Sequence, residues 1–179
     1  MIDGGGMEGL PAVFHGKARV FGDDVNTDYI ISSRRKRDTV DPKEISQYLM
    51  EDIRPGFGSL VEPGDIIVAG TNFGCGSAME IAPLVIAASG IRVILARSFA
   101  RTFYRNGINA GLFLVEVDTR GITEPDILEV ALDENSAAVR DVDKELSLDG
   151  NGPRGVLRRI VVEGGLLPYI ARHGGLTGR

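Results

Sequence analysis

The chain is 179 residues long, 43% apolar and 25% charged, with a net charge of -5. That length suits one domain with a sizeable core, and the balance of apolar to charged residues is that of an ordered soluble protein rather than a disordered one. The acidic excess argues against nucleic-acid binding, which needs a basic surface to displace counterions from phosphate; the basic cluster "SRRKR" at 33–37 is too short to reverse it.

In chain order, residues 1–14 are glycine-rich and aperiodic, so a flexible tail is expected there, with Met7 an alternative start, ahead of one domain over 15–179. "KARVF" (17–21) predicts a strand and "GDDVNTD" (22–28) a polar turn. The basic cluster then falls in a loop, and "DPKEISQYLME" (41–51) opens with an Asp cap and Pro42 in the first turn of a short helix. After a loop punctuated by Pro and Gly at 54–65, "IIVAG" (66–70) reads as a buried strand, and the glycine-rich stretch behind it opens a helix running to Ser89. "IRVILA" (91–96), a helix over "FARTFYRNGINA" (99–110) and "LFLVEV" (112–117) complete an alternation of strands and helices, which implies a parallel sheet and an α/β fold. Beyond it "EPDILEVAL" (124–132) reads as helix, "AAVRDV" (137–142) and "VLRRIVV" (156–162) as strands, and "GGLLPYIARHGG" (164–175) as a closing helix capped by glycine.

No apolar run approaches the roughly 18–20 residues of a membrane span, and the N-terminus lacks the basic and apolar stretches of a secretory signal, so no membrane association and a cytoplasmic location are expected. The single cysteine, Cys75, excludes an internal disulfide, and it leaves the chain unable to hold by itself an iron–sulfur cluster, which takes three or four thiolates. With His15 and His173 far apart in sequence, no self-contained metal site is expected either.

The stretch richest in chemistry is "GTNFGCGSAMEIAP" (70–83). At a turn from strand to helix, backbone N–H groups and the helix dipole favour an anion such as phosphate or carboxylate, and Gly74 and Gly76 let a ligand approach the backbone closely. Ser77 to Glu80 fits the S-x-x-E capping box, in which the serine merely satisfies orphan amides. A third glycine for the dinucleotide fingerprint and a lysine for a phosphate loop are both missing. Cys75 could be an activated nucleophile if a helix N-terminus lowered its pKa, but without a nearby histidine a small packed residue is the default.

"NFGCGSAMEIAP", then "VILARSFARTFYRNGINAGL", with "DDVNTDYII" upstream, resembles the small subunits of isopropylmalate isomerase (3-isopropylmalate dehydratase) and homoaconitase, over residues 16–172. The resemblance implies a swivelling β/β/α fold equivalent to the mobile last domain of aconitase. It implies no cofactor on this chain, a large-subunit partner carrying a four-iron, four-sulfur cluster, and a small dicarboxylate substrate. On the family pattern Ser77 is the base that removes a proton beside a carboxylate, so capping and catalysis can coexist there. Asp28 matches an acidic active-site residue, with an Asx-turn role as the alternative. Gly74, Cys75 and Gly76 would line the substrate, while Arg101, Arg105 and Asn106 recur in the family motif; Arg101 and Arg105 share a helix face, which suggests structural ion pairs.

The sequence also departs from the family, whose motif "G-S-S-R-E-H" here reads "G-S-A-M-E-I". Met79 replaces an arginine that grips a substrate carboxylate, Ile81 replaces a histidine, and a thioether cannot stand in for a guanidinium fork. The rebuilt contact is expected from Arg34, Arg35, Lys36 or Arg37, in the loop that aligns with the family's substrate-discriminating loop; a solvated charge run is the alternative. Dehydration or isomerisation of a substituted malate is therefore expected, 3-isopropylmalate first, with dimethylmalate, methylmalate and homoaconitate types behind it. A non-catalytic dicarboxylate-binding module is a competing reading, and the acidic balance argues against an RNA-associated role.

Overall fold

The computed structural model describes residues 12–37, 39, 41–134 and 136–175, with the side chains of Ala12, Lys36 and Arg37 outside the description. Four strands, β1 (Ala12–Val20), β2 (Ile66–Ala69), β3 (Val93–Ala96) and β4 (Phe113–Glu116), run parallel to one another. Three more, β5 (Ile127–Leu132), β6 (Ala137–Asp141) and β7 (Ser147–Gly150), extend the sheet antiparallel from the other side of β1, giving the order β4-β3-β2-β1-β5-β6-β7. The α/β fold class holds, but the sheet is mixed rather than wholly parallel.

The apolar runs of β2 and β3 are buried at every position, as required of parallel strands covered on both faces. Alternate side chains feed two cores. Ile67, Ala69, Ile94 and Leu114 pack with Ile30, Leu49, Phe57, Val85 and Ile86 on one face, while Ile66, Val68, Leu95 and Val115 pack with Leu128, Val130, Ile160 and Tyr169 on the other.

Several expectations change. The first 11 residues of the expected tail lie outside the described residues, whereas Ala12, Val13 and Phe14 already pair with β5. The helix expected over 41–51 is one turn, α2 (Pro42–Ile45), continued as a 3-10 turn to Tyr48, and the stretch expected as loop at 54–65 contains a further turn of helix, α3 (Phe57–Leu60). Of residues 124–132, expected as helix, 127–132 form strand β5, because Leu128, Val130 and Leu132 alternate into the core and outweigh the helix propensity of Leu, Glu and Ala. Residues 156–162 form a helix, α6 (Gly155–Val162), in which Ile160 and Val161 are buried and Arg158 donates to the Leu132 and Asp133 carbonyls at the end of β5. The closing helix, α7 (Leu166–His173), ends at Gly174 in the left-handed region, as its glycine cap predicts.

Because β1 to β4 are parallel, their carboxyl ends share one edge, and the segments 21–26, 70–80 and 97–100 leave it together. Ligands of open α/β sheets bind at this edge.

Candidate functional site at the carboxyl edge of the sheet

The glycine-rich turn is sewn to both neighbours by backbone. On one side the Gly74 N–H donates to the Val25 carbonyl at 2.7 Å and the Thr27 N–H to the Cys75 carbonyl at 2.8 Å, forming a parallel bridge between Asn26 and Cys75. On the other the Phe73 N–H donates to the Ser98 carbonyl at 3.0 Å, and the Ala100 N–H to the Phe73 carbonyl at 2.9 Å, just before α5 (Arg101–Asn109). A Cβ on Gly74 would sit 2.1 Å from Cγ of buried Phe103, so only glycine allows the turn to lie this close to α5.

Polar groups brace the base of the turn. Asp23 accepts the Thr71 N–H at 2.7 Å and pairs with Arg97, and the Thr71 amide, ahead of the arginine, holds its carboxyl below the usual range. Asn72, at φ +60, donates from its side chain to Asp24 at 2.8 Å and from its N–H to the Ser98 hydroxyl at 2.8 Å. A motif reading of the glycines alone misses these braces, although the acidic pair Asp23 and Asp24 within the expected polar turn at 22–28 is visible in the sequence.

The helix after the turn, α4 (Ile81–Ala88), begins three residues later than a capping box requires, with Glu80 at its N-cap and no side-chain cap bond. Ser77 is exposed, and among the described residues its hydroxyl has no hydrogen-bond partner; its carbonyl accepts the Met79 N–H at 2.7 Å and the Thr27 hydroxyl at 2.9 Å. The expected Ser77 cap is thus absent, and the serine oxygen is left open. Cys75 is half-buried, and burial, then the charge of Asp24, push its thiol up, the reverse of an activated nucleophile.

Asp28 lies exposed in the first turn of α1 (Thr27–Ile30). The Asx role considered for it belongs to Asn26, whose side-chain oxygen caps α1 by accepting the Tyr29 N–H at 3.0 Å. Arg34 is 62% exposed and reaches Asp52 at 2.6 Å. Arg35 grips Glu51 through two bonds of 2.7 Å, its guanidinium 3.7 Å above the Tyr48 ring. The backbone of Lys36 and Arg37 completes a 3-10 turn, Ser33–Arg37, and their side chains lie outside the description. Arg101 and Arg105 are exposed on α5, and among the described residues neither makes the expected ion pair; Asn106 is half-buried. Met79 is 8% exposed and belongs to the core, with Ile81 packed against that core. Side chain 79 therefore faces the interior rather than the open edge. No helix among the described residues is long and apolar enough to cross a membrane.

The aconitase C-terminal domain family matches residues 59–120. Over 159 residues the chain is 45% identical to the 3-isopropylmalate dehydratase small subunit of Caldanaerobacter subterraneus subsp. tengcongensis, spanning 87% of this chain and 96% of that one. The chain belongs to this small-subunit family of the aconitase superfamily. Its members are hydro-lyase subunits, and the methanogen homoaconitase small subunit of Methanocaldococcus jannaschii is among them, 41% identical over 89% of this chain and 92% of its own length. A crystal structure of 3-isopropylmalate dehydratase from the same organism superposes with a TM-score of 0.86 at 40% identity, covering 91% of this chain and 96% of that one. As a small subunit the chain is one part of an enzyme completed by a large subunit.

Proposed function

We propose that this chain is the small subunit of a hydro-lyase that dehydrates and isomerises a substituted malate, 3-isopropylmalate first, with Ser77 as the proton-abstracting base. The observation that carries the reading is the stitching of residues 25–27 to 74–77, which brings Ser77, its hydroxyl uncommitted, beside the segment holding Asp28. Loss of water from a malate needs a base at the carbon next to a carboxylate, and the Ser77 oxygen, ionised to the alkoxide and free of other partners, would take that proton and become the hydroxyl as hydroxide leaves. In this proposal Asp28 orients a neighbouring cationic or proton-transferring group, and Cys75 and Gly76 form the wall against which the substrate lies, with Gly74 buried behind them against Phe103.

One cysteine cannot hold a cluster, so the four-iron, four-sulfur group is assigned to the large subunit; bound there it would act as a Lewis acid on the substrate hydroxyl. With side chain 79 turned inward, a substrate carboxylate needs another cation. Of the two loop arginines whose side chains are described, Arg34 is the better candidate, because an exposed pair such as Arg34 with Asp52 is worth only about 0–1 kcal/mol and exchanges partners readily, whereas Arg35 is fixed by a bidentate bond and a ring. The same exposed cation gives a second reading some support, a homoaconitate-type substrate with an extra acidic arm. Anaerobic coexpression with the large subunit, followed by ultraviolet detection of the unsaturated product over a panel of malates, tests both. Turnover of 3-isopropylmalate is expected; turnover only of methylmalate, dimethylmalate or a homoaconitate-type acid would overturn the first substrate, and no hydro-lyase activity on any of them would overturn the reading.

A further inference from the structure

We propose that Thr27 is a positioning residue for Ser77, its buried hydroxyl aiming the serine at the reacting carbon; the inference rests on the dehydratase reading above. Thr27 is 2% exposed, and it reaches the glycine turn twice, through its N–H to the Cys75 carbonyl at 2.8 Å and through its hydroxyl to the Ser77 carbonyl at 2.9 Å. The Ser77 carbonyl also takes the Met79 N–H at 2.7 Å, so the peptide that follows the serine is held from two directions. Since the Ser77 hydroxyl has no partner of its own among the described residues, the direction of its Cα–Cβ bond is set by this backbone alone.

Thr27 is itself anchored. Asn26 caps the helix that Thr27 begins, and the Thr27 carbonyl accepts the Ile31 N–H at 3.1 Å. Gly76 is needed for its backbone rather than for room: its φ is +91, whereas a Cβ there would stand at ordinary contact distance, 3.4 Å from Asn26 Cβ and 3.5 Å from Thr27 Oγ1. Asp28 follows Thr27 directly, so one clamp sets the base and the acidic residue relative to each other. Positioning of this kind acts on the rate of the chemical step rather than on ground-state affinity, since small displacements of a reacting group are costly while binding contacts persist.

Valine and serine separate the hydroxyl from the shape of threonine. In the assembled two-subunit enzyme, Thr27→Val should lower kcat about 3- to 10-fold with KM within about twofold, the range that one lost hydrogen bond supplies. Thr27→Ser should restore kcat to within about twofold of the parent, at an unchanged thermal midpoint. A Thr27→Val enzyme with parental kcat, or a Thr27→Ser enzyme as slow as the valine variant, would overturn the proposal. If the valine variant does not assemble, Thr27→Ala against Thr27→Ser carries the same test, and equal kcat values overturn it. Ser77→Ala measured alongside keeps the two ideas apart: parental turnover without Ser77 sinks the catalytic reading, whereas an inactive Ser77→Ala beside a normal Thr27→Val sinks only the positioning role.

Discussion

Replacing Gly74 by alanine tests how the site is built. The residue sits at φ +78, where an L side chain costs about 1–2 kcal/mol. Its new Cβ would stand 2.1, 2.4 and 2.5 Å from Cγ, Cβ and Cδ2 of Phe103. Phe103 cannot step aside freely, since it is 2% exposed and meets Phe73 edge-on at 5.2 Å between ring centres. Overpacking of this kind adds about 1–3 kcal/mol, giving a total of about 2–5 kcal/mol. For a chain of this size each kcal/mol lowers Tm by about 2–4 °C, so the midpoint should fall on the order of 10 °C in a thermal melt followed by circular dichroism. Gly56→Ala is the matched control: Gly56 has the same φ of +78, but a Cβ there meets nothing within 4 Å, so only the backbone term remains. The double variant Gly74→Ala with Phe103→Leu should recover part of the loss, because the two residues share one contact. Equal midpoints for the Gly74 and Gly56 variants would refute the claim that the turn is pressed against α5.

Ser77→Ala removes an exposed, unbonded hydroxyl and no cap, so stability should change by less than about 0.5 kcal/mol while turnover of the assembled enzyme falls by orders of magnitude; chemical denaturation and product formation read the two effects separately. Glu124 is held at about 2, first by its two-pronged bond with Arg54 at 2.7 and 2.8 Å and further by the Val20 N–H and Arg19. A lowered carboxyl stabilises fully above its free value of 4.5 and loses that stabilisation as pH falls toward about 2. The ceiling is about 3 kcal/mol, and solvent access reduces it to about 1–2 kcal/mol, so Glu124→Gln should flatten the acid limb of a denaturation-against-pH curve by that amount. Cys75, its thiol pushed up by burial and then by Asp24, should alkylate with iodoacetamide more slowly than free cysteine near about pH 8, and Asp24→Asn should speed the reaction; a faster rate in the parent would contradict the burial of its sulfur.

The parallel half of the sheet was legible because "IIVAG" and "IRVILA" are short apolar runs between turn signals, and such runs are buried on both faces of a covered sheet. The antiparallel half was misread where propensity and periodicity disagree. In "ILEVAL" the buried set Leu128, Val130 and Leu132 has period two, and in "GVLRRIVV" the stretch is rich in β-branched residues, yet its tertiary partners are α5 and α7. β7, "SLDG", carries little apolar signal and exists because β6 offers it an edge. At the site, motif spacing located the turn and the serine. The braces from Asp23, Asn72, Thr27 and Arg97 depend on contacts between segments tens of residues apart, which local pattern does not encode.

The failed capping box has a cause that was present in the sequence. A helix capped by Ser77 would put Pro83 at its sixth position, where a missing N–H and a ring pressed against the Met79 carbonyl break the helix. Starting at Ile81 instead puts Pro83 in the first turn, where no N–H is needed, and the Met79 carbonyl takes the Ala82 N–H at 3.2 Å. Pro83 thus excludes the cap, and with it the fate of the serine oxygen in a cap, where a lone pair points into the helix at a backbone amide. A serine proposed to take a proton needs that lone pair free and facing outward. The late helix start provides this at the cost of the dipole, whose field weakens within a turn of the helix end. On the proposed reading, making the serine oxygen basic therefore falls to charges outside α4, such as the exposed cations of this chain.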